Sequence, residues 1–248
     1  MDLGLKNKIA FVTGASKGIG SATAKLFAEE GSNVIIGYGK DEEGAKTVAQ
    51  YVESTGRKSW TCSLDIGNSK NVSNAISQLS VVVPKIDIVV LSAGVNIVTP
   101  FEEVSFEEWD HVVQVNLNGT FYVLKSVLPL LNEGASVVIV SSVAAHTGVP
   151  HHSHYAAAKA GLVNLTKSAA RALSPKIRVN CVAPGMTLTD MGSEASSVQS
   201  DDYARTKLLS HRYAKPEEIA QSIVYMASPA AGFIYGATLD INGGRELR

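Results

Sequence analysis

Short apolar runs alternate with amphipathic stretches along the whole chain. The apolar runs are nearly continuous, as in Ile9–Val12 and Val137–Val140, and polar residues do not interleave with them. Such runs are typical of strands that are buried on both faces, as in a parallel sheet with helices on each side. The stretches between them place apolar residues at helical spacing, for example Ile19, Ala22 and Leu26.

This alternation predicts about seven strands and the helices that connect them. The predicted strands are 9–12, 34–36, 59–64, 86–91, 136–140, 177–182 and 238–241. The predicted helices are 19–30, 42–54, 69–82, one long helix over 106–131, 154–173 and 216–228. Strands and helices that repeat at this spacing indicate an α/β fold with a doubly wound parallel sheet, helices on both faces, and one domain over 1–248.

The segment 187–215 departs from this regular pattern. It is polar, rich in Ser and Asp, and follows directly after a predicted strand. In an open α/β sheet the ligand crevice lies at the carboxyl ends of the strands. We therefore expect this segment to form a flap that covers a substrate, with a surface helix of no function as the alternative.

Composition and charge narrow the class of protein. Of the 248 residues, 45% are hydrophobic and 18% charged, which is enough to bury a substantial core. The 22 basic and 23 acidic residues are spread along the chain, so we expect neither nucleic acid nor a membrane as a partner. Two cysteines in apolar runs, Cys62 and Cys181, favour a reducing compartment over a disulfide framework, and we expect a cytoplasmic location.

A glycine-rich loop joins the first predicted strand to the first helix. Residues 13–20 read T-G-A-S-K-G-I-G, a variant of the general G-x-G-x-x-G spacing. Gly14 permits a tight turn, Gly18 lets the backbone approach a pyrophosphate, and Gly20 lets the helix pack on the strand. The helix N-terminus then offers free N–H groups to the phosphates. The loop predicts dinucleotide binding, with an ordinary turn as the alternative.

Four polar residues form a candidate catalytic group. Tyr155 and Lys159 are four apart and share one helix face, so the ammonium can favour the phenolate and lower the tyrosine pKa. Ser142 lies at the end of the fifth strand, where its hydroxyl can hydrogen-bond a reacting oxygen. Asn116 is a polar residue in an apolar helix. The alternatives are a surface Tyr–Lys pair and a buried amide that only kinks the helix.

These motifs, taken in order, resemble the short-chain dehydrogenase/reductase family over nearly the whole chain, in a form similar to 3-oxoacyl-acyl-carrier-protein reductases. They are T-G-x-x-x-G-I-G at 13–20, an acid at 65, S-A-G at 92–94, N-L-x-G at 116–119, S-S at 141–142, Y-x-x-x-K at 155–159 and P-G at 184–185. The resemblance implies a single Rossmann-type domain. One departure stands out, because the family usually has N-A-G where this chain has Ser92.

The resemblance also implies a role for each residue of the tetrad. Tyr155 would be the acid/base, and Ser142 would polarise the substrate oxygen. Lys159 would hold the nicotinamide ribose and lower the tyrosine pKa, while Asn116 would position a water that relays protons to Lys159.

Nineteen residues are expected to contact the cofactor. Among them, the resemblance implies that Asp65 would bind the adenine amino group and that Thr189 would contact the carboxamide. The full set is Gly14, Ser16, Lys17, Gly18, Ile19, Gly20, Tyr38, Lys40, Asp65, Ile66, Ser92, Ala93, Gly94, Tyr155, Lys159, Pro184, Gly185, Thr187 and Thr189.

The residues after the second strand favour NADP over NAD. NAD-specific enzymes place an acid there to bind the ribose 2′-hydroxyl. Residues 36–40 read I-G-Y-G-K, and no acid occurs before Asp41. Lys17 and Lys40 can supply positive charge for a 2′-phosphate, although a merely solvated Lys17 is the alternative.

Four of the six histidines fall in the loop before Tyr155. They are His146, His151, His152 and His154. We expect this loop to form a polar wall of the substrate pocket, together with Ser142 and Tyr155. A second hypothesis is that His146 or His152 binds a polar or anionic substrate, which would make binding pH-dependent near ~6.5. No metal site is expected, because the usual ligand pattern is absent.

The expected function is an NADP-dependent oxidoreductase that moves hydride between the nicotinamide and a ketone or secondary alcohol. A 3-oxoacyl thioester or a small polyol would be the substrate. The alternatives are an NAD-dependent alcohol or polyol dehydrogenase of the same family, a nucleotide-sensing scaffold, and a non-redox lyase. The resemblance implies a homotetramer or homodimer that uses 106–131, 154–173 and 236–244.

Overall fold

Seven parallel strands form one sheet in the computed structural model, which describes residues 2–196 and 202–247. The strands are β1 Ile9–Thr13, β2 Asn33–Tyr38, β3 Ser59–Ser63, β4 Ile86–Leu91, β5 Leu131–Val140, β6 Ile177–Pro184 and β7 Thr238–Ile241. Their order across the sheet is β3-β2-β1-β4-β5-β6-β7. The predicted doubly wound parallel sheet is confirmed.

Helices connect the strands and cover both faces of the sheet. They are α1 Gly18–Glu29, α2 Glu42–Ser54, α3 Ser69–Val82, α4 Phe106–Val113, α5 Gly119–Val127, α6 Ala144–Thr147, α7 Ser153–Leu173, α8 Asp190–Ser196, α9 Tyr203–Lys207 and α10 Pro216–Ala227. Short 3-10 turns lie at Phe101–Glu103, Leu128–Leu130 and Pro229–Ala231. Within the described residues, no helix combines the length and apolarity needed to cross a bilayer.

Each strand contributes side chains to two separate cores. In β1, Ala10 and Val12 pack with α1, α2 and α10, whereas Phe11 packs with α3, α5 and α7. Successive side chains of a strand point to opposite faces, so a strand covered on both sides must be apolar at every position. This requirement explains the continuous apolar runs in the sequence.

The strand order creates a switch point beside β1. The chain passes from β1 outwards to β2 and β3, and then returns to β4 on the other side of β1. Thr13, the last residue of β1, pairs with Gly37 of β2 and Leu91 of β4. The connections after β1 and β4 therefore leave the sheet in opposite directions and open a crevice at its carboxyl edge.

The prediction of one regular helix over 106–131 is wrong, because the helix is interrupted and ends before residue 131. A π-helical turn at Gln114–Asn118 separates α4 from α5. Pro129 lies in the 3-10 turn that follows, and Leu131 already belongs to β5. The polar and glycine residues at 132–134 interrupt the apolar pattern, which hid the first half of this strand.

The predicted flap over 187–215 contains two short helices, α8 and α9, and residues 197–201 lie outside the described residues. Backbone hydrogen bonds join the two ends of this segment. The Leu188 N–H donates to the Ala214 carbonyl at 2.8 Å, and the Ala214 N–H donates to Met186 at 3.0 Å. Its role as a flap stays a prediction.

One buried cation ties the sheet to the last long helix. Arg178 of β6 is 7% exposed, and its guanidinium donates four hydrogen bonds of 3.0 to 3.2 Å. The acceptors are the carbonyls of Met226, Ala227, Ser228 and Ala231, at and just beyond the C-terminus of α10. A cation there satisfies carbonyls that have no partner in the helix and complements its dipole. Burial lowers the pKa of Arg178 from its usual value.

Arg178→Met is expected to lower the free energy of unfolding by about 2–4 kcal/mol. Four carbonyls lose this donor, and of these Ala231 keeps a bond from the Ile234 N–H. Arg178→Lys should lose less, since an ammonium keeps the charge and part of the bonding. Urea unfolding followed by circular dichroism measures both. The exposed Arg171→Met on α7 is the control, and a loss for Arg178→Met no larger than that of the control would refute the role.

Candidate active site

The glycine loop folds as its sequence predicts. Gly14 and Gly18 have φ angles of 65° and 58°, in the left-handed region that glycine adopts without strain. A Cβ on Gly14 would come within 2.8 Å of the Ala93 Cα, and a Cβ on Gly20 would collide with the Gly14 carbonyl oxygen. Close packing therefore restricts both positions to glycine, and the first N–H groups of α1 lie beside the crevice.

A cavity of about 1350 Å³ lies at the carboxyl edge of the sheet, over the switch point. All nineteen residues predicted to contact a cofactor line it, as do Ser142 and His152. Its volume exceeds the ~300–1,000 Å³ of ordinary ligand pockets, so it has room for a dinucleotide and a second molecule. Among the described residues, no group of His, Cys, Asp or Glu is arranged to hold a metal ion.

Ser142, Tyr155 and Lys159 come together on one wall of this cavity. Ser142 hydrogen-bonds the Tyr155 hydroxyl and also accepts a bond of 3.2 Å from the Ala144 N–H. The Lys159 Nζ lies 5.4 Å from the centre of the Tyr155 ring and donates to the Val140 carbonyl at 2.9 Å. A buried lysine therefore joins the end of β5 to the start of α7.

The electrostatics of this pair differ from the expectation. Burial raises the pKa of Tyr155 to about 12, and the bond from Ser142 only partly opposes the rise. Burial also lowers the pKa of Lys159 to about 8. The expected lowering of the tyrosine pKa by Lys159 is thus wrong for this geometry, because the ammonium bonds Val140 instead of the phenol. Near pH 7 the tyrosine keeps its proton, and most of the lysine is charged.

Asn116 lies behind the cavity wall and does not line the cavity. It is fully buried in the π-helical turn, and its Nδ2 donates to the carbonyls of Val112 and Val95 at 2.9 and 2.8 Å. A Cβ on Gly94 would collide with the Asn116 Oδ1 and lie 3.6 Å from the Lys159 Nζ. Asn116 and Lys159 therefore flank Gly94, and the role of Asn116 in a proton relay stays a prediction.

The structure brings His152 to the cavity but not His146. The His152 Nδ1 lies 3.1 Å from the Asn96 Oδ1 and 3.4 Å from the Ile97 carbonyl, and burial lowers the pKa of this imidazole. The His146 Nε2 instead lies 3.9 Å from the Asp240 Oδ1 on β7. The backbone turn at residues 147–150 separates the two, and His151 lines the cavity as well.

Comparisons with known proteins agree with this geometry. A family model described as enoyl-(acyl carrier protein) reductase matches residues 14–246. The 3-oxoacyl-[acyl-carrier-protein] reductase FabG of Staphylococcus aureus is 34% identical over 243 residues, which cover 97% of this chain and 98% of the relative. The FabG of Chlamydia muridarum is 36% identical over 244 residues, with coverage of 97% and 98%.

Solved structures give the same result. A short-chain dehydrogenase/reductase of the glucose/ribitol dehydrogenase type from Brucella melitensis superposes with a TM-score of 0.92 at 36% identity, covering 98% of both chains. A short-chain dehydrogenase from Burkholderia cenocepacia in complex with NADP gives 0.91 at 32% identity, covering 97% of this chain and 98% of that one. The chain belongs to the short-chain dehydrogenase/reductase family. It is an oxidoreductase of the kind that acts on small molecules.

Backbone hydrogen bonds hold the turn that contains the family departure at Ser92. The Thr13 Oγ1 accepts bonds from the N–H groups of Ser92 and Ala93 at 3.1 and 3.2 Å, and donates to the Val90 carbonyl at 3.4 Å. The S-A-G turn of this short-chain dehydrogenase/reductase is therefore held by a side chain of the neighbouring strand. Within the described residues, the Ser92 hydroxyl makes no hydrogen bond that contributes to this support.

Several cavity residues carried no sequence signal. They are Lys25, Asn96, His111 and Arg245. Arg245 shows the reason, because its Nε bonds the Tyr203 hydroxyl at 2.7 Å, and a contact between such distant segments leaves no local spacing to read.

His154 anchors the helix that carries Tyr155. Its ring is fully buried, and its Nδ1 accepts a 2.7 Å bond from the Tyr155 N–H. The proton must then be on Nε2, which donates to the Glu108 carboxylate of α4 at 2.9 Å. Bonds from Thr99 and then His154 lower the pKa of Glu108. This short-chain dehydrogenase/reductase thus fixes the start of α7 through a neutral histidine.

His154→Ala is expected to lower the free energy of unfolding by about 2–3 kcal/mol, because a buried N–H and a carboxylate both lose their partner. His154→Asn can restore the acceptor of the Tyr155 N–H, and His154→Gln can restore the donor to Glu108. Each should recover part of the loss in urea unfolding. Equal stability of the alanine variant and the wild type would refute the role of His154 in fixing the start of α7.

Proposed function

We propose that this enzyme is an NADPH-dependent carbonyl reductase in which Tyr155 delivers a proton to the substrate oxygen. The observation that carries the proposal is the linked group of Ser142, Tyr155 and Lys159 on the wall of a cavity large enough for a dinucleotide. The proposal rests on a tyrosine that keeps its proton at neutral pH, as a proton donor must.

A nicotinamide held in this cavity would supply the hydride that reduces the carbonyl carbon of the substrate. The carbonyl oxygen takes up the electron pair of the double bond, and the Tyr155 proton neutralises it. The Ser142 hydroxyl, which already bonds the Tyr155 oxygen, is placed to share the developing negative charge. The Lys159 ammonium is the next proton source, because its lowered pKa makes it more acidic than a free lysine.

Charge around the adenosine end of the cavity favours NADP over NAD as the cofactor. Tyr38 and Lys40 line the cavity at the end of β2, and Lys17 lines it from the glycine loop. The nearest acid, Asp41, caps α2 by accepting a 3.0 Å bond from the Gly44 N–H. An acid engaged in this way is poorly placed to bind a ribose 2′-hydroxyl. The NADP in the Burkholderia cenocepacia relative supports the same choice.

The substrate is proposed to be a ketone, either a 3-oxoacyl thioester or a small polyol-type compound. The names of the FabG relatives support the first, and the glucose/ribitol dehydrogenase name of the Brucella melitensis structure supports the second. The nucleotide-sensing scaffold lacks support. A protein without catalytic activity would have no need to keep all four residues of the tetrad, Asn116, Ser142, Tyr155 and Lys159.

A homotetramer or homodimer in the cytoplasm is proposed for the working form. Phe106 at the start of α4 is 88% exposed and Phe233 before β7 is fully exposed, which favours a second copy that covers them. Two buried free cysteines, Cys62 and Cys181, suit a reducing compartment.

Cofactor titration and one variant test the proposal together. NADPH should bind more tightly than NADH when nicotinamide fluorescence is followed. Tyr155→Phe should lower ketone reduction by at least about 10²-fold, the scale of a lost general acid, with little change in NADPH affinity. Tyr225→Phe on α10 is the matched control. Absence of binding by both cofactors at millimolar concentration would overturn the proposal.

The pH dependence of reduction gives a second test. The Lys159 pKa of about 8 means that its ammonium is present below this pH and lost above it. Reductase kcat/KM is therefore expected to be flat near pH 6–7 and to fall as the pH rises through about 8, toward tenfold per pH unit. Stopped assays across pH 6–10 measure it, and a flat profile to pH 10 would contradict the role of Lys159.

A further inference from the structure

An ion pair joins the glycine loop to the segment after β6. The Lys17 Nζ lies 2.8 Å from the Asp190 Oδ2, across 173 residues of sequence. Lys17 is the residue before α1, and Asp190 is the first residue of α8. Both side chains line the cavity, and both are mostly exposed, at 66% and 73%.

The backbone of the second segment lies close to the same loop. A Cβ on Gly18 would come within 3.3 Å of the Thr189 Cγ2, so Thr189 rests against the turn that precedes α1. The contact holds Asp190 beside Lys17. The bond to Asp190 is the largest influence that raises the pKa of Lys17, and Asp41 and Glu194 add to it at longer range. Three carboxylates, those of Asp190, Asp41 and Glu194, therefore already act on the Lys17 ammonium.

Lys17 is also one of the two cations available to a 2′-phosphate under the proposed function. An ammonium on a flexible stem is a compact point charge, and a carboxylate beside it weakens the attraction that it exerts on a second anion. A phosphate that arrives at Lys17 must displace Asp190 or share the ammonium with it. A cofactor with a 2′-hydroxyl brings no anion to this position and leaves the ion pair intact.

We propose that Asp190 competes with the 2′-phosphate for Lys17 and thereby limits the preference of this enzyme for NADPH over NADH. The inference rests on the proposed function, since it needs both cofactors to enter the cavity. It assigns Asp190 a part in specificity without contact with the reacting atoms.

The expected change in NADPH affinity is small, because the ion pair between Lys17 and Asp190 is exposed to solvent. Exposed ion pairs contribute up to roughly fivefold in an equilibrium constant, and salt weakens them. Asp190→Asn removes the competing charge and keeps the shape of the side chain. It is expected to tighten NADPH binding by about two- to fivefold at low ionic strength. NADH binding should stay unchanged, and the gain should shrink when salt is added.

A double-mutant cycle separates competition for Lys17 from simple repulsion of the phosphate. Dissociation constants for NADPH, NADH and 2′,5′-ADP are measured on the full chain with Lys17→Met, Asp190→Asn and the double variant. Under competition, Asp190→Asn tightens NADPH and 2′,5′-ADP only where Lys17 is present. Asp202→Asn serves as the matched control, because this exposed carboxylate pairs with Arg205 and not with Lys17.

Each outcome decides the question. An equal gain in the Lys17→Met background would show repulsion alone and overturn competition. An equal gain for NADH and NADPH, or no gain for either, would also overturn it while the reductase proposal stands. A wild-type chain that binds neither cofactor would remove the proposed function and this inference with it.

Discussion

Burial of the sheet on both faces is the constraint on which the rest of the structure depends. Strands that pair with neighbours on each side and carry helices above and below have only their ends free. The order β3-β2-β1-β4 then reverses the direction of the connections beside β1, so that the free carboxyl ends border one crevice. The glycine loop, the S-A-G turn and Ser142 all lie just beyond strand ends for this reason.

The same burial controls the chemistry of the site. Lys159 is 4% exposed, and this burial makes its ammonium more acidic, although its bond to a backbone carbonyl favours the charged form. The neighbouring phenol responds in the opposite sense, because its charged form is the anion. Near neutral pH the phenol of Tyr155 and the ammonium of Lys159 therefore both keep the proton that each can release. The apolar walls that stabilise the fold also set the protonation state from which a reductase would start.

Local sequence patterns predicted most of the fold and part of the site. Apolar runs located the strands, and the spacing of Tyr155 and Lys159 placed both on one helix face. The π-helical turn was missed, because nothing in the apolar spacing marks it. The bond from its Asn116 to Val95 joins distant parts of the chain and has no periodicity. His146 was misjudged for a similar reason, since position in a loop does not reveal which side of the chain faces the cavity. The pKa direction of Tyr155 depended on burial and on the partner of Lys159, which spacing alone does not fix.

The π-helical turn at Gln114–Asn118 has a consequence for the two helices that it joins. An α-helix advances by about 100° for each residue, so an extra residue in one turn changes the angular phase of everything beyond it. Both helices nevertheless keep a buried face, with Val112 of α4 and Val123 and Val127 of α5 against the core, and each exposes a phenylalanine, Phe106 and Phe121. The turn therefore takes up its extra residue while both helices stay packed on the core, and it brings the amide of Asn116 to the Val95 carbonyl beside the cavity.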